Sequence, residues 1–265
     1  MVSRPHTVSQ EILDKLQIPS TATLCASLPT PWPPQLQLHP APPHPTRLLH
    51  QLHQLHHLSP EPLSPEPLPP DAMGAASALK SVCGIDNAFM HGVAPLKPGQ
   101  HMAGPAYTLR YIPARADLDE RTDMPHGGIA NSVTDPVEFN LTDPQRVAVE
   151  ALQPGDVFVI DARGETRCGT MGAILATRMA MRGCIGFVTD GCYRDTPEIC
   201  RLEGVASYAG AMNAQTNKTY HHPSEIQVPI SCGEVAVVPG DIIVGDEEGI
   251  MVIPADVAEK VAELA

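Results

Sequence analysis

Apolar and turn-forming residues alternate along the second half of the chain in a way that predicts strands and helices in succession. A turn sequence at 153–156 leads into the apolar run Val157–Asp161, which has the length of a buried strand. Residues 173–182 have the composition of a helix that ends at Gly183, and residues 185–189 are a second apolar strand. Together these segments predict a strand–loop–helix–strand crossover with parallel strands.

This crossover determines where a ligand is expected. Parallel strands have their carboxyl ends at the same edge of the sheet, so the glycine-rich loop at 164–172 and the loop at 190–195 come to lie side by side. Open α/β sheets bind their ligands at this edge. We therefore expect the functional site between these two loops.

The C-terminal third of the chain has a pattern that is mainly β. Apolar segments at 235–238 and 242–245 flank a Pro-Gly-Asp turn and predict a hairpin. Residues 249–253 predict another strand, and residues 255–265 predict a terminal helix. With the crossover before them, these segments predict a domain of the α/β class.

A proline- and histidine-rich tract interrupts the globular pattern between residues 28 and 74. It holds about half of the chain's 29 prolines, and proline removes backbone donors and disfavours helix at the residue before it. The tract has few large apolar side chains with which to offset the entropy cost of ordering. We predict an N-terminal helical segment at 1–27, a disordered insert at 28–74 and the main domain at 75–265.

Composition and charge exclude several classes of function. The chain has 30 acidic and 17 basic residues, for a formal net charge of −13, so nucleic acid would be repelled over most of its surface. No run approaches the ~20 apolar residues of a membrane helix, and the N-terminus lacks the apolar core of a secretion signal. The seven cysteines include no C-x-x-C pair. We expect a soluble, cytoplasmic protein with reduced thiols and no nucleic-acid or membrane partner.

Charged residues are concentrated in the loop after the second strand of the crossover. Asp190, Arg194 and Asp195 lie there, and charges at the end of a buried strand are costly unless they are paired or bind a ligand. A structural pair of Arg194 with Asp195 is one interpretation. The glycine loop favours another, because amides around Gly172 at the start of a helix form a seat for a carboxylate or phosphate. Arg194 would bind the same anion through its planar guanidinium group.

Four stretches of the chain resemble one protein family. The run GTMGAILATRMAMRGCIGFVTDGCYRD at 169–195 is similar to the core signature of the RraA-like proteins, which include 4-hydroxy-4-methyl-2-oxoglutarate aldolases and regulators of ribonuclease E activity. Further similarity lies in STATL at 20–24, HGVAPLKPGQHMAGPAYTLRYIPAR at 91–115 and VPISCGEVAVVPGDIIVGDEEGIMVIP at 228–254. The resemblance covers nearly the whole chain outside the proline-rich tract.

The resemblance implies a fold, an assembly and a reaction. The fold is an α/β, RraA-like β/β/α sandwich of the swivelling-domain type, and the assembly is a trimer or a hexamer of two trimers with sites between subunits. The reaction is that of a class II aldolase, a lyase that cleaves a 4-hydroxy-2-oxo acid to pyruvate through a metal-stabilised enolate. Oxaloacetate decarboxylase activity is a related reaction that uses the same chemistry.

The resemblance also implies roles for individual residues. Arg194 would hold the carboxylate and oxo group of a small 2-oxo acid, and Asp195 would ligate Mg²⁺ or Mn²⁺. A Lewis-acidic cation beside an arginine is suited to the negative charge that develops during retro-aldol cleavage. The substrate pocket would be completed by the backbone of Gly172, Ala173, Ile174 and Leu175.

One position departs from the aldolase pattern. The aldolases usually have an acidic residue directly after the glycine that matches Gly172, whereas this chain has Ala173. Asp190 is a candidate for part of the missing catalytic role, with a cap at the strand end as the alternative. Glu247 is a candidate proton shuttle contributed by a neighbouring subunit, with a plain polar turn as the alternative.

The regulator branch of the family supplies a second candidate function. A regulator binds and inhibits a ribonuclease without catalysis, and that branch characteristically lacks the aspartate that matches Asp195. The presence of Asp195 beside Arg194 therefore favours the enzyme. The sequence contains no G-x-G-x-x-G loop for a nucleoside cofactor.

Overall fold

The computed structural model describes Ser9 and residues 72–115 and 143–264. The predicted segment at 1–27 and the predicted insert up to residue 71 lie outside these ranges, apart from Ser9. None of the described helices has the length and hydrophobicity needed to cross a membrane. The helices are α1 (Ala72–Cys83), α2 (Pro144–Ala151), α3 (Ala173–Met181), α4 (Thr196–Cys200) and α5 (Ala258–Leu264), with a 3₁₀ turn at Asn217–Thr219.

The described strands form one nine-stranded mixed sheet and one two-stranded sheet. The strands are β1 (Ala94–Pro95), β2 (Met102–Pro113), β3 (Val157–Asp161), β4 (Gly169–Met171), β5 (Gly186–Tyr193), β6 (Ala206–Met212), β7 (His221–Ile226), β8 (Ile230–Cys232), β9 (Val235–Val237), β10 (Ile242–Gly245) and β11 (Ile250–Ile253). The large sheet has the order β1-β6-β5-β3-β2-β10-β11, with β4 beside β5 and β7 beside β2.

The centre of the large sheet is parallel, as the crossover predicts. Strand β3 pairs with β5 in parallel, with Val157 opposite Gly186 and Ile160 opposite Thr189. Strand β2 is parallel to β3, and β6 is parallel to β5. The carboxyl ends of these four strands therefore lie at one edge of the sheet, where the two predicted site loops follow β3 and β5.

Both faces of the central strands are covered, which explains why β3 is apolar throughout. Val157 and Val159 pack on the face that carries the two-stranded sheet of β8 and β9. Phe158 and Ile160 pack on the other face, in the cluster that includes the buried side chains of α2 and α3. The domain thus has three layers: the two-stranded sheet, the large sheet and the helices. The predicted α/β, β/β/α architecture is confirmed.

Helix α1 begins earlier than the composition suggests. It starts at Ala72, so it takes in the last three residues of the range predicted as the insert, 28–74. Ala75, Ala78 and Leu79 have the i, i+3, i+4 spacing of one helix face, and all three are buried in a cluster with residues of α5, β10 and β11. The helix is therefore part of the domain from its first turn onward.

The predicted hairpin of residues 235–238 and 242–245 is wrong. Strand β9 pairs with β8, with Val237 opposite Ile230, whereas β10 pairs with β2 and β11. The turn between β9 and β10 is tight, since Val238 N–H donates to Asp241 Oδ2 at 2.8 Å. It carries the chain from the small sheet to the large one. There β10 is buried on both faces, with Ile243 in the cluster that includes β8 and β9 and with Ile242 and Val244 in the cluster that includes α1 and α5.

Two deletions distinguish the insert from helix α1. Joining Ser27 to Ala72 is expected to leave the fold intact, because loop closure changes by only ~0.6 kcal/mol for each doubling of loop length. Joining Ser27 to Ser77 also removes the buried Ala75, and it is expected to lower the free energy of unfolding by about 1–3 kcal/mol. Urea denaturation followed by circular dichroism measures both. Equal stability of the two variants would contradict a structural role for the first turn of α1.

Candidate active site

The glycine loop and the end of β5 approach each other closely enough to exclude side chains. A Cβ at Gly172 would lie 2.3 Å from Asp195 Oδ2 and 2.9 Å from Arg194 Nε. A Cβ at Gly169 would lie 2.9 Å from the backbone nitrogen of Arg194. A side chain at Gly169 would collide with backbone, and one at Gly172 would displace the Asp195 and Arg194 side chains. The two loops thus meet at the carboxyl edge of the sheet, as the crossover predicts.

Arg194 is held through its backbone, while its side chain stays accessible. Its N–H donates to the carbonyl of Met171 at 3.0 Å. The guanidinium Nε lies 3.9 Å from Asp195 Oδ2, and the two side chains are 39% and 44% exposed. An ion pair this long and this exposed contributes little to stability. The structure thus leaves the guanidinium group available to a ligand.

Asp195 has a backbone conformation that few residues adopt. Its φ of 55° and ψ of 35° are left-handed, and its carbonyl accepts the N–H groups of Glu198 and Ile199 at the start of α4. Its carboxylate reaches back to the glycine loop, where Oδ2 accepts the N–H of Ala173 at 3.2 Å. Residues in sparsely populated backbone regions often belong to functional sites.

A cavity of about 250 Å³ opens beside Arg194. One wall consists of the glycine loop at 169–172 and the first turn of α3. The predicted residues Gly172, Ile174, Leu175 and Arg194 line it, whereas Ala173 turns its amide to Asp195. The structure therefore places most of the predicted substrate residues around a single cavity.

A second wall of the cavity contains residues that the sequence pattern did not single out. The N-terminus of α2 contributes Asp143, Gln145 and Arg146, and the 3₁₀ turn region contributes residues 216–218. Asp143 followed by Pro144 is a recognisable start of a helix, and the structure shows this cap, with Asp143 Oδ1 accepting the N–H of Arg146 at 3.0 Å. The sequence signal predicts a helix here but not its position beside the glycine loop.

The charges of the cavity favour an anionic ligand. Arg146, Arg194 and Lys218 line it, and among the described lining residues Asp143 contributes the one carboxylate. Burial raises the pKa of the Asp143 carboxyl, while the Arg146 amide and the charges of Arg146 and Lys218 partly offset this effect. Guanidinium and ammonium groups in a cavity lining are the groups that bind carboxylates or phosphates.

The carbonyl of Thr170 ties the two walls together. It accepts hydrogen bonds from Gln145 Nε2 at 2.8 Å, from Tyr111 Oη at 3.3 Å and from Asn217 Nδ2 at 3.4 Å. Asn217 Nδ2 also lies 3.1 Å from Gln145 Oε1, to which it donates. The glycine loop is therefore fixed by side chains from three separate elements.

Cys168 and His221 form a buried pair behind the glycine loop. Cys168 Sγ lies 3.3 Å from His221 Nδ1, and the imidazole stacks on the Tyr111 ring at 4.8 Å between centroids. Burial raises the pKa of the Cys168 thiol to about 11 and lowers the pKa of His221 to about 4. Both groups are therefore neutral near pH 7, which is a packing arrangement and not an activated nucleophile.

Asp190 lies away from the Arg194 cavity. Its Oδ1 accepts the N–H of Ala162 at 2.8 Å and its Oδ2 accepts the N–H of Gly164 at 2.9 Å. Burial raises the pKa of this carboxyl. A register shift of β5 between Thr189 and Cys192 accompanies this placement. Asp190 thus fixes the loop after β3, which agrees with the alternative of a cap at the strand end.

Glu247 is not brought to Arg194 within one chain. Its Oε1 accepts the N–H of Gly99 at 2.8 Å, close to the start of β2. Gly245 pairs with Met102, the first residue of that strand. Because β2 and β5 run in the same direction, Glu247 lies at the opposite edge of the sheet from Arg194. Only a second copy of the chain would place this carboxylate at the cavity.

The donor set near the cavity restricts the kind of metal that fits. Within residues 72–115 and 143–264, no group of three or more His, Cys, Asp or Glu side chains is arranged to hold a metal ion. Asp195 presents a half-exposed carboxylate next to Arg194 and the glycine loop. Mg²⁺ usually keeps several waters and needs only one or two protein carboxylates. A half-exposed carboxylate of this kind is a ligand that Mg²⁺ accepts, and Asp195 would be the residue to hold such a cation.

Comparison with known proteins agrees with this geometry. A family model described as RraA-like, Aldolase/RraA, matches residues 71–252. The chain belongs to the RraA-like family. The match begins at the start of α1 and includes both site loops, so the family domain and the described domain coincide closely.

Two RraA-like relatives carry the provisional name 4-hydroxy-4-methyl-2-oxoglutarate aldolase. The one from Halalkalibacterium halodurans is 39% identical over 118 residues, which cover 44% of this chain and 55% of that protein. The one from Thermus thermophilus is 33% identical over 110 residues, which cover 41% of this chain and 65% of that protein. The chain thus spans between about half and two thirds of the length of these relatives.

A solved structure of an RraA-like protein has the same fold. It is Streptomyces coelicolor RraAS2, described as an unusual member of the RNase ES inhibitor RraA protein family. The match has a TM-score of 0.59 and 27% identity, and it covers 73% of this chain and 85% of that one. Relatives of this chain are therefore described both as aldolases and as a member of a ribonuclease inhibitor family.

Substitution of Gly172 tests whether the close approach of the two loops forms the site. Gly172→Ala forces its Cβ against Asp195 and Arg194, so pyruvate binding with Mg²⁺ should weaken roughly tenfold or more, a loss of about 1.4 kcal/mol. Gly164→Ala is the control, because its Cβ meets open space although its φ is 64°. The control should lower stability without weakening binding. Isothermal titration calorimetry separates the two outcomes, and unchanged binding by Gly172→Ala would contradict this location of the site.

Proposed function

We propose that the chain is a divalent-metal-dependent carbon–carbon lyase of the class II aldolase type. It cleaves a 4-hydroxy-2-oxo acid to pyruvate and a second oxo compound. The observation that carries the proposal is the juxtaposition of Arg194, Asp195 and the start of α3 beside one cationic cavity. Membership of the RraA-like family and the names of two relatives support the same reaction.

Arg194 and the first turn of α3 would bind the common part of the substrates. A 2-oxo acid presents a carboxylate and an adjacent oxo group, which suit the planar guanidinium of Arg194. The start of α3 adds the positive end of a helix with no side-chain cap, because Gly172 is the N-cap residue. These groups would orient the acid in the cavity and favour negative charge on its oxo group.

Asp195 would hold the cation, together with the substrate and water. A bound Mg²⁺ or Mn²⁺ supplies Lewis-acid chemistry that polarises the oxo group. The left-handed backbone of Asp195 and the amide of Ala173 fix the carboxylate toward the glycine loop. The same arrangement would support decarboxylation of oxaloacetate, since both reactions place an electron pair on the atom next to the polarised oxo group.

The proposed assembly is a homotrimer or a hexamer of two trimers. Two large apolar side chains near the site are exposed in the single chain, with Ile174 80% and Met212 67% accessible. Glu247 lies at the opposite edge of the sheet from the cavity. Packing of one copy's cavity edge against another copy would cover the apolar side chains and bring Glu247 toward Arg194.

Binding and inhibition of a ribonuclease is the second candidate function. The observation in its favour is the likeness to Streptomyces coelicolor RraAS2. Purified protein added to a ribonuclease E-type enzyme and a labelled RNA tests it directly. Inhibition that persists in Arg194→Ala would support the regulator, because a surface interaction does not need the cavity.

Removal of metal tests the proposed class of reaction. Pyruvate release from 4-hydroxy-4-methyl-2-oxoglutarate or oxaloacetate should disappear in excess EDTA and return with Mg²⁺ or Mn²⁺. Treatment with borohydride in the presence of substrate should leave activity unchanged, because no imine to lysine is formed. Coupled oxidation of NADH by lactate dehydrogenase measures the pyruvate. Full activity in EDTA, or inactivation by borohydride, would contradict the proposal.

Replacement of Arg194 by lysine tests the two-point grip on the acid. Arg194→Lys keeps the charge but loses the planar fork, so kcat/KM should fall by roughly 10- to 150-fold, as expected for losing about 1.5–3 kcal/mol from a charged hydrogen bond. Arg201→Lys is the matched control, because Arg201 is an exposed partner of Glu198 outside the cavity. Steady-state kinetics should show the control unchanged. Equal activity of both variants would assign Arg194 to structure alone.

A further inference from the structure

The N-terminus of α2 places a buried carboxylate in the wall of the Arg194 cavity. Asp143 is only 5% exposed, yet it lines the cavity together with Arg194. Its Oδ1 accepts the N–H of Arg146 at 3.0 Å, which fixes the carboxyl group as the cap of the helix. Among the described residues that line this cavity, no other has a carboxylate.

Hydrogen bonds hold this wall at a defined place relative to the glycine loop. Gln145 is buried, and its Nε2 donates to the carbonyl of Thr170 at 2.8 Å. Asn217 donates to Gln145 Oε1 at 3.1 Å, so the 3₁₀ turn braces the same contact. The first turn of α2 is therefore tied to the loop that leads into α3, and Asp143 keeps a fixed place in the cavity that Arg194 also lines.

Several charged and titratable groups surround Asp143. Burial raises the pKa of its carboxyl, whereas the backbone amides of Arg146 and Gln145 and the charges of Arg146 and Lys218 oppose that rise. Tyr111 on β2 is close enough to interact electrostatically with it: burial raises the pKa of the Tyr111 phenol, and the charge of Asp143 raises it further. Arg194 lines the same cavity. Burial favours the protonated form of this carboxyl group, and the nearby cations favour the ionised form. A group balanced in this way can both accept and return a proton, as general acid–base catalysis requires.

We propose that Asp143 is the proton-transferring residue of the Arg194 cavity. The inference rests on the aldolase function proposed above. The cavity of about 250 Å³ is smaller than the roughly 300–1,000 Å³ of pockets for drug-sized ligands. A small oxo acid that binds at Arg194 would therefore extend to the wall formed by α2.

The proton transfer balances without a further reactant. The Asp143 carboxylate takes the proton of the C4 hydroxyl, and the O–H electron pair becomes the new C=O bond of the released oxo compound. The C3–C4 bond breaks, and its electron pair moves onto C3 and the C2 oxo group. The protonated Asp143 then gives the proton to C3, which yields pyruvate and restores the carboxylate. Arg194 binds the C1 carboxylate throughout.

Asp143→Asn separates the proton transfer from the cap of the helix. Asparagine caps helices as well as aspartate does, so α2 should keep its place while the titrating group is lost. Pyruvate release should fall by roughly 10²–10⁴-fold, the usual contribution of an acid–base group. Exchange of the pyruvate methyl protons with deuterium in Mg²⁺ buffer, followed by proton NMR, should slow by a similar factor. The Kd for pyruvate should change less than about threefold, well under 1.4 kcal/mol.

Glu150→Gln is the matched control on the same helix. Glu150 is exposed and pairs with Arg178 outside the cavity, so its variant should keep wild-type cleavage and exchange. The acid limb of the pH profile of kcat should be present in the wild type and in Glu150→Gln, because the base must be deprotonated. The same limb should be absent from the residual activity of Asp143→Asn.

The outcomes distinguish this inference from the function on which it rests. Wild-type cleavage and exchange in Asp143→Asn would overturn the role of Asp143 and leave the aldolase in place. Loss of pyruvate binding in Asp143→Asn would also overturn it, since a structural role would then explain the loss of rate. Wild-type protein that shows neither cleavage nor exchange with Mg²⁺ or Mn²⁺ would overturn both proposals together.

Discussion

The contact between the glycine loop and the end of β5 determines the rest of the site. With no side chain at Gly172, the carboxylate of Asp195 and the guanidinium of Arg194 occupy the space that a Cβ would fill. The same contact brings the amide of Ala173 to Asp195 Oδ2. Parallel pairing of β3 with β5 positions both loops, so the chemistry depends directly on the central crossover.

The second half of the cavity depends on a different kind of interaction. Side chains from β2, α2 and the 3₁₀ turn converge on the carbonyl of Thr170. A backbone carbonyl has two lone pairs and is shared here by three donors, so no single donor carries the whole contact. The glycine loop thus holds in place cavity-lining residues that come from distant parts of the chain, α2 before it and the 3₁₀ turn after it.

The sequence was informative where local pattern and topology agree. Strand β3 has the predicted bounds, and α3 ends one residue before the predicted end, because apolar runs and Gly183 mark them directly. The hairpin prediction failed because β9 belongs to the two-stranded sheet and β10 to the large sheet, and the local pattern does not show which sheet a strand joins. The sequence leaves a catalytic role and a cap open for Asp190, and the structure agrees with the cap; the choice was not predictable because the amides that it binds lie 26 and 28 residues earlier in the chain. Asp143 escaped notice because a helix cap has the same sequence signature whether or not it lines a cavity.

The left-handed backbone at Asp195 limits how this position can change during evolution. Among residues with a side chain, aspartate and asparagine adopt this conformation most readily. A single exchange of aspartate for asparagine would keep α4 and the glycine loop in place while removing the negative charge. In the proposed enzyme this exchange would remove the cation ligand without disturbing the fold, so that one nucleotide change would separate catalysis from binding.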